Sequence, residues 1–287
     1  MIRLQIAIQL DYEVSATGSD FVFNIHAAQT ARQHVLDEQL TLSQPVAYRV
    51  ENEPSSGNRL LRFSAPPGQL QVNYRATLDV HHFIGSPELI PEVPVAKLPP
   101  EALVYIYPSR YCPSDRLHQL AMREFGSRWQ GYSRVQSICD WVRERTTFAS
   151  NTSTSQTSAL DTLLDQTGVC RDFAHLMIAL CRAINIPARF ATGIDYGADP
   201  ALGPTDFHAY VEVYLGDRWY MFDPSGTAIP MGFMRFGIGR DAADTAFATI
   251  FGSVKTHAPV IDIQAIAGAD GRLRQPFHCG RALSTDG

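Results

Sequence analysis

The chain opens with strict alternation. Ile2, Leu4, Ile6, Ile8 and Leu10 take every second position, and Arg3, Gln5 and Gln9 lie between them. Side chains on a strand point alternately to its two faces, so this pattern predicts a strand with one face buried. Further strand-like runs fall at 21–25, 47–51, 60–64 and 69–80, separated by Gly18-Ser19-Asp20, Pro54-Ser55-Ser56-Gly57-Asn58 and Pro66-Pro67-Gly68. Short strands punctuated by turn formers predict an antiparallel β-sandwich. Pro87, Pro91, Pro94, Pro99 and Pro100 then crowd into fourteen residues. Proline lacks the N–H that helix interiors and ladders need, so an extended crossing segment is expected there. The domain boundary is placed at its end: a β-rich domain with its Pro-rich linker over residues 1–100, and a second domain over 101–287.

Beyond the prolines the period becomes helical. Ser114 is a candidate cap for a helix carrying Leu117, Leu120, Ala121 and Phe125, and Ser133 for one carrying Val135, Ile138, Cys139 and Val142. Leu160, Leu163 and Leu164 make a short apolar turn after a Ser/Thr-rich loop. A third helix is predicted from about Cys170. Its apolar positions Phe173, Ala174, Met177, Ile178, Leu180, Cys181 and Ile184 cover more than half the circumference, so it should be buried on most sides until Asn185 and Pro187 stop it. Strands are expected at 188–192, 208–215 and 218–223.

Composition narrows the partners. Among 287 residues, 24 Lys plus Arg stand against 29 Asp plus Glu, a net charge of −5, and no basic run exceeds a pair. The positive stripe that phosphate backbones require is missing, so nucleic acid is not an expected partner. No apolar window reaches 18 residues, and the alternating N-terminus does not resemble a signal peptide, so no membrane association and a cytoplasmic location are expected. Five cysteines at irregular spacing, with no Cys-x-x-Cys pair, predict reduced thiols and neither a zinc site nor a redox motif. His81-His82 lack a third ligand at usable spacing and are expected at a solvated strand end. No metal and no cofactor are implied.

One cysteine occupies a distinctive place. Cys170 follows Gly168-Val169 and opens the third helix, where unpaired N–H groups and the positive end of the helix dipole favour a thiolate. Most cysteines are small buried hydrophobes, so position alone does not make a nucleophile. A nucleophilic thiol also needs a base and a group to orient that base. His208 and Asp223 can supply both. Gly216-Asp217 suits a two-residue hairpin of type II′. If Leu215 then pairs with Arg218, Tyr210 faces Asp223 and His208 faces Ser225, which sets His208 and Asp223 on one face as diagonal neighbours. A three-residue turn would instead set Asp223 opposite Val211 and turn it away. His175 lies about 140° around the helix from Cys170 and reads as structural, whereas Asp172 in the first turn reads as a cap. Cys139 reads as core, Cys181 lies too far along the helix for a disulfide to Cys170, and Cys112 and Cys279 have no base nearby. The loop from Gly193 to Asp206 is long enough to border the cleft. An oxyanion could be met by the Cys170 N–H, with Asn151, Gln156 and Gln166 as conceivable side-chain partners.

The runs Gly168-Val169-Cys170-Arg171-Asp172-Phe173-Ala174-His175-Leu176, Ile186-Pro187-Ala188-Arg189, His208-Ala209-Tyr210-Val211-Glu212-Val213 and Trp219-Tyr220-Met221-Phe222-Asp223-Pro224 resemble the core of the bacterial transglutaminase-like cysteine protease family. The resemblance spans about residues 105–255, and residues 1–85 resemble the β-rich region that precedes such cores. It implies a papain-like α+β fold with a Cys170, His208, Asp223 triad in that chain order. Tyr210 departs from the Trp that many relatives carry after His-Ala.

The expected activity is acyl transfer on an amide or peptide bond of a protein or peptide substrate through a Cys170 thioester, and hydrolysis is favoured because it needs no amine-binding site. Transamidation of protein glutamine and a non-catalytic binding scaffold are the alternatives. Glycoprotein deglycosylation is disfavoured because no zinc-type cysteine pairs occur. Oligomeric state leaves no mark in the sequence.

Overall fold

The computed structural model describes residues 1–197, 201 and 205–286. The N-terminal strands are β1 (Ile2–Phe23), β2 (Gln33–Leu42), β3 (Arg49–Asn52), β4 (Arg59–Ala65), β5 (Gly68–Val80) and β6 (Phe83–Gly85). The middle of the chain holds α1 (Pro100–Leu103), α2 (His118–Phe125), α3 (Tyr132–Arg145), β7 (Thr147–Phe148), α4 (Ala159–Asp165), β8 (Thr167–Gly168) and α5 (Cys170–Ala183). Then follow β9 (Ala188–Asp195), β10 (Phe207–Leu215), β11 (Arg218–Phe222), β12 (Phe233–Gly239), α6 (Ala242–Thr245), β13 (Ala248–Thr256), β14 (Val260–Ile266) and β15 (Ala282–Ser284). Among the described residues no helix is long and apolar enough to cross a membrane.

The fold is α+β, with an antiparallel β-rich N-terminal region before a papain-like core. The alternation at the start of the chain has the predicted consequence, since every even-numbered residue of β1 from Ile2 to Val14 is buried. β1 is the central strand of a seven-stranded sheet of order β2-β5-β1-β4-β3, with β13 and β14 also paired to it. Its register with β5 sets Arg3 opposite Asp79, and the two side chains make a pair of 2.8 Å hydrogen bonds. The runs read as two strands, at 2–10 and 21–25, form one strand with a sharp bend. Tyr12 and Phe21 have ring centroids 5.4 Å apart, whereas nine extended residues would separate them by roughly 30 Å. The bend falls between Val14 and Ser19, where pairing with β13 shifts register. Its two halves close over Tyr12, Phe21, Phe23 and Phe63.

The strands do not respect a boundary at residue 100. β13 and β14 return from the far end of the chain to β1, and β6 leaves the N-terminal region to become the edge of the core sheet, beside β15. Long-range pairing of this kind has no local signature. The Pro-rich segment is not simply extended either: it forms 3₁₀ turns at Pro87–Leu89 and Val95–Lys97 and buries Ile90 in the core.

The core sheet has six antiparallel strands in the order β12-β9-β10-β11-β15-β6. α5 lies on one face, buried at every residue from Asp172 to Ala183, in one cluster with Ala209, Val211, Val213 and Leu215 of β10. The predicted serine caps at 114 and 133 are not used. α2 begins at His118 after a 3₁₀ turn, and α3 begins at Tyr132. The first turn of α3 is satisfied by the Pro-rich segment instead: Tyr132 N–H donates to the Ile90 carbonyl at 3.0 Å, and Gly131 N–H to Glu92 Oε1 at 2.9 Å. Ser133 Oγ donates to the Trp129 carbonyl at 3.3 Å. His81 and His82 are half-buried, not solvated, and the His81 ring packs edge-on against His34.

Candidate active site

Cys170 is the first residue of α5. The preceding chain is pinned by the short parallel pair of β7 and β8, with Ala149 N–H donating to the Gly168 carbonyl at 2.9 Å. Asp172, wholly buried, turns back to accept from Val169 N–H at 2.9 Å and also touches Ser153 Oγ and the Arg171 guanidinium. That is the capping task expected of it. Gly168 is required for this packing, since a β-carbon there would lie 2.7 Å from Cβ of Asp172. Cys170 is therefore held, partly exposed, with its Sγ 4.0 Å from the Phe207 carbonyl oxygen at the start of β10.

The hairpin has the predicted register. Leu215 pairs with Arg218 and Val211 with Phe222. Gly216 takes φ of +62° while Asp217 does not enter the left-handed region, as a type II′ turn requires. His208 and Asp223 consequently meet, with His208 Nε2 3.6 Å from Asp223 Oδ1. That spacing lies just beyond a hydrogen bond, within the range that catalytic contacts show before substrate binds. Asp223 is held in turn by Ser225, whose backbone N–H and Oγ donate to Oδ1 at 3.0 and 2.6 Å, while Arg143 donates to the Asp223 carbonyl at 2.6 Å.

Electrostatics favour a charged imidazole. Burial alone would pull the His208 pKa down, but Asp195, Cys170 and Asp223 outweigh it and leave the group well above its usual value. Burial pushes Asp223 up, yet His208 and Ser225 more than compensate, so its carboxyl lies below the usual range.

Asp195 was not foreseen. The strand expected over 188–192 runs on to Asp195, into the segment expected to be loop from Gly193. Its Oδ2 sits 3.6 Å from His208 Nδ1, so the ring has a carboxylate beside each nitrogen. Burial pushes the Asp195 pKa up to about 6, although His208 and the Tyr210 hydroxyl oppose this. That hydroxyl donates to Asp195 Oδ1 at 2.8 Å, which gives the departure at Tyr210 a structural partner. A carboxylate one residue past an apolar strand segment was the available signal. The Gly193 before it looked like the strand's end.

The other candidates sit elsewhere. Cys112, Cys139 and Cys181 are buried, and desolvation pushes the first two up to about 12 and the third up as well. His175 is enclosed between the Tyr111 and Phe190 rings and accepts from Ala242 N–H at 3.1 Å, a structural role. Asn151 and Gln166 adopt left-handed backbone, and Gln166 caps α4. Gln156 is an exposed loop residue. Pro200, Gly203 and Pro204 of the expected cleft-bordering loop lie outside the described residues. Cys279 lines a cavity of about 650 Å³ between α3, β11 and residues 278–283. Asp223 borders that cavity, but Cys170 and His208 do not.

Comparison with known proteins bears on the family. Residues 121–224 match the transglutaminase-like superfamily core, and residues 2–101 match the bacterial transglutaminase N-terminal domain. A solved structure from Cytophaga hutchinsonii, described as a "putative cysteine protease", superposes with a TM-score of 0.91 at 36% identity, covering 99% of this chain and 97% of that one. An uncharacterized protein of Mycobacterium leprae is 27% identical over 146 residues, 49% of this chain. One of Mycobacterium tuberculosis is 31% identical over 109 residues, covering 34% of this chain and 35% of its own. The match spans 52% of the Mycobacterium leprae protein, about half its length. With both parts of the chain matched and one relative alike over nearly its whole length, the chain belongs to the transglutaminase-like superfamily.

Proposed function

We propose that this protein is a cysteine-dependent acyl-transfer enzyme that hydrolyses amide or peptide bonds, with Cys170 as nucleophile, His208 as base and Asp223 as its orienting carboxylate. The observation that carries the reading is the His208 imidazole, its side chain 10% exposed at the start of β10 between Asp223 and the head of α5. His208 takes the proton from Cys170 Sγ, and the thiolate adds to the substrate carbonyl carbon. The oxyanion so formed can accept from the Cys170 backbone N–H, a first-turn donor with no helical carbonyl to serve. The carbon–nitrogen bond then breaks as His208 gives its proton to the departing amine. Water, deprotonated by His208, attacks the thioester, releases the acid and restores the thiol. Asp223 stays ionised and holds the ring through Nε2.

The test is a trapping experiment with a peptide and amide library, read by mass spectrometry in water enriched in ¹⁸O. Expected are an acyl adduct on Cys170, ¹⁸O in the acid product, and loss of both in Cys170→Ala. Product formation undiminished in Cys170→Ala would overturn the reading. An adduct that is released only by an added amine would replace hydrolysis with transamidation.

A further inference from the structure

Asp195 has no part in the three-residue scheme, yet it sits at the end of β9 with 1% exposure. Its two oxygens have different surroundings. Oδ1 accepts from the Tyr210 hydroxyl at 2.8 Å, while Oδ2 accepts no hydrogen bond among the described residues and lies 3.6 Å from His208 Nδ1. Removing a carboxylate from water costs several kcal/mol unless charge or hydrogen bonds replace the lost hydration. One tyrosine hydroxyl replaces only part of it. The groups facing His208 are Cys170 from α5, Asp195 from β9, Tyr210 from its own strand and Asp223 from the segment after β11. Phe233 of β12, paired opposite Asp195, adds no charge. His208 is thus the one group in this set that can carry a positive charge.

We propose that Asp195, anchored by the Tyr210 hydroxyl, is a positioning residue for His208: it holds the imidazolium through Nδ1 while Asp223 holds it through Nε2. The inference rests on the proposed function, because it concerns the same base. With Nε2 committed to Asp223, Nδ1 is the nitrogen that receives the thiol proton, and Oδ2 of Asp195 waits where that proton arrives. The ring is fixed against rotation by a carboxylate at each end. Its charge persists after Cys170 gives up its negative charge to the substrate, so the proton remains available for the leaving amine. A carboxylate within about 4 Å of an imidazole raises its midpoint by roughly 1–3 pH units.

The experiment is an NMR titration of protein labelled with ¹³C-histidine, the His208 resonance being assigned with His208→Ala. In Asp195→Asn the His208 midpoint is expected to fall by at least one pH unit. In Tyr210→Phe, which keeps the carboxylate and nearly all the buried volume, it should fall by a smaller amount, so the inference remains testable if Asp195→Asn does not fold. A midpoint within 0.3 unit of the parent value in folded Asp195→Asn overturns the proposal, as does an unchanged midpoint in Tyr210→Phe when that is the only folded variant. Measuring Cys170 alkylation on the same samples separates this inference from the one beneath it. Midpoints that fall as expected beside a Cys170 that ignores His208 would leave Asp195 in its place and sink the acyl-transfer reading.

Discussion

The two large sheets handle polar groups in opposite ways. In the N-terminal sheet, β1 and β5 alternate, so Gln5, Gln69 and Arg75 reach solvent while Leu4, Leu70 and Tyr74 fill the interior. In the core sheet both faces are covered, and β9 is buried at every residue from Ala188 to Asp195. Any charge there must find a partner inside. Arg189 and Arg235 converge on Glu212 and on Asp286, and Tyr210 on Asp195. A sheet with a wet face can carry polar residues without fixing them, whereas a sheet covered on both sides fixes each one by its partner. The candidate site lies in the second kind, where an imidazole and two carboxylates can be held at set distances.

That contrast can be broken by mutation. The largest effect is expected at Asp223. Asp223→Asn should lower acyl-transfer turnover by about 10²-fold or more, because an amide cannot stabilise the imidazolium. A steady-state assay on any substrate found by trapping checks this, and circular dichroism should show the fold retained. Glu212→Ala comes next. It leaves two buried guanidinium groups with Asp286 as the carboxylate they still share and should cost about 3 kcal/mol in urea unfolding. Leu4→Ala, a purely apolar truncation in the N-terminal sheet, should cost about 2–5 kcal/mol. If Glu212→Ala were instead as mild as an exposed pair, the core sheet would not depend on its buried charges as described.

Acid sharpens the comparison further. His26, buried beside the Tyr74 ring in the N-terminal region, is pulled down to about 4, by desolvation first and then by Arg59. The unfolded chain therefore binds this proton more readily than the folded one, so stability is full above pH 6.5 and declines as pH falls toward 4. His26→Gln should flatten the stability profile across that window by about one proton, while the profile above pH 7 keeps its shape. The smallest effect belongs to the exposed Arg62–Glu51 pair, 3.0 Å apart across β3 and β4. Glu51→Ala should shift stability by under about 1 kcal/mol.

The features legible in the sequence were those encoded by neighbours along the chain. The alternation of β1, the apolar girdle of α5 and the Gly216-Asp217 turn each follow from a few adjacent residues, and the turn carried the most, since its length sets where Asp223 points. Hidden features depended on distant partners. β2 is exposed over Leu36–Glu38, so no alternation marks it, and β13 and β14 acquire strand form by adding to β1. Ser133 looked like a cap because the carbonyl of Ile90, which accepts from the helix start, lies far away in sequence. Asp195 was missed because Gly193 looked like a break, although β12 continues the ladder past it to Asp195.

The central claim is that His208 controls the reactivity of Cys170. The rate of Cys170 alkylation by iodoacetamide, followed from pH 4 to 10 in the parent protein and in His208→Ala, tests it most directly. The account predicts rapid labelling at pH 6 in the parent, and at least a tenfold loss of labelling rate at that pH in His208→Ala. Superimposable profiles from the two proteins would contradict it.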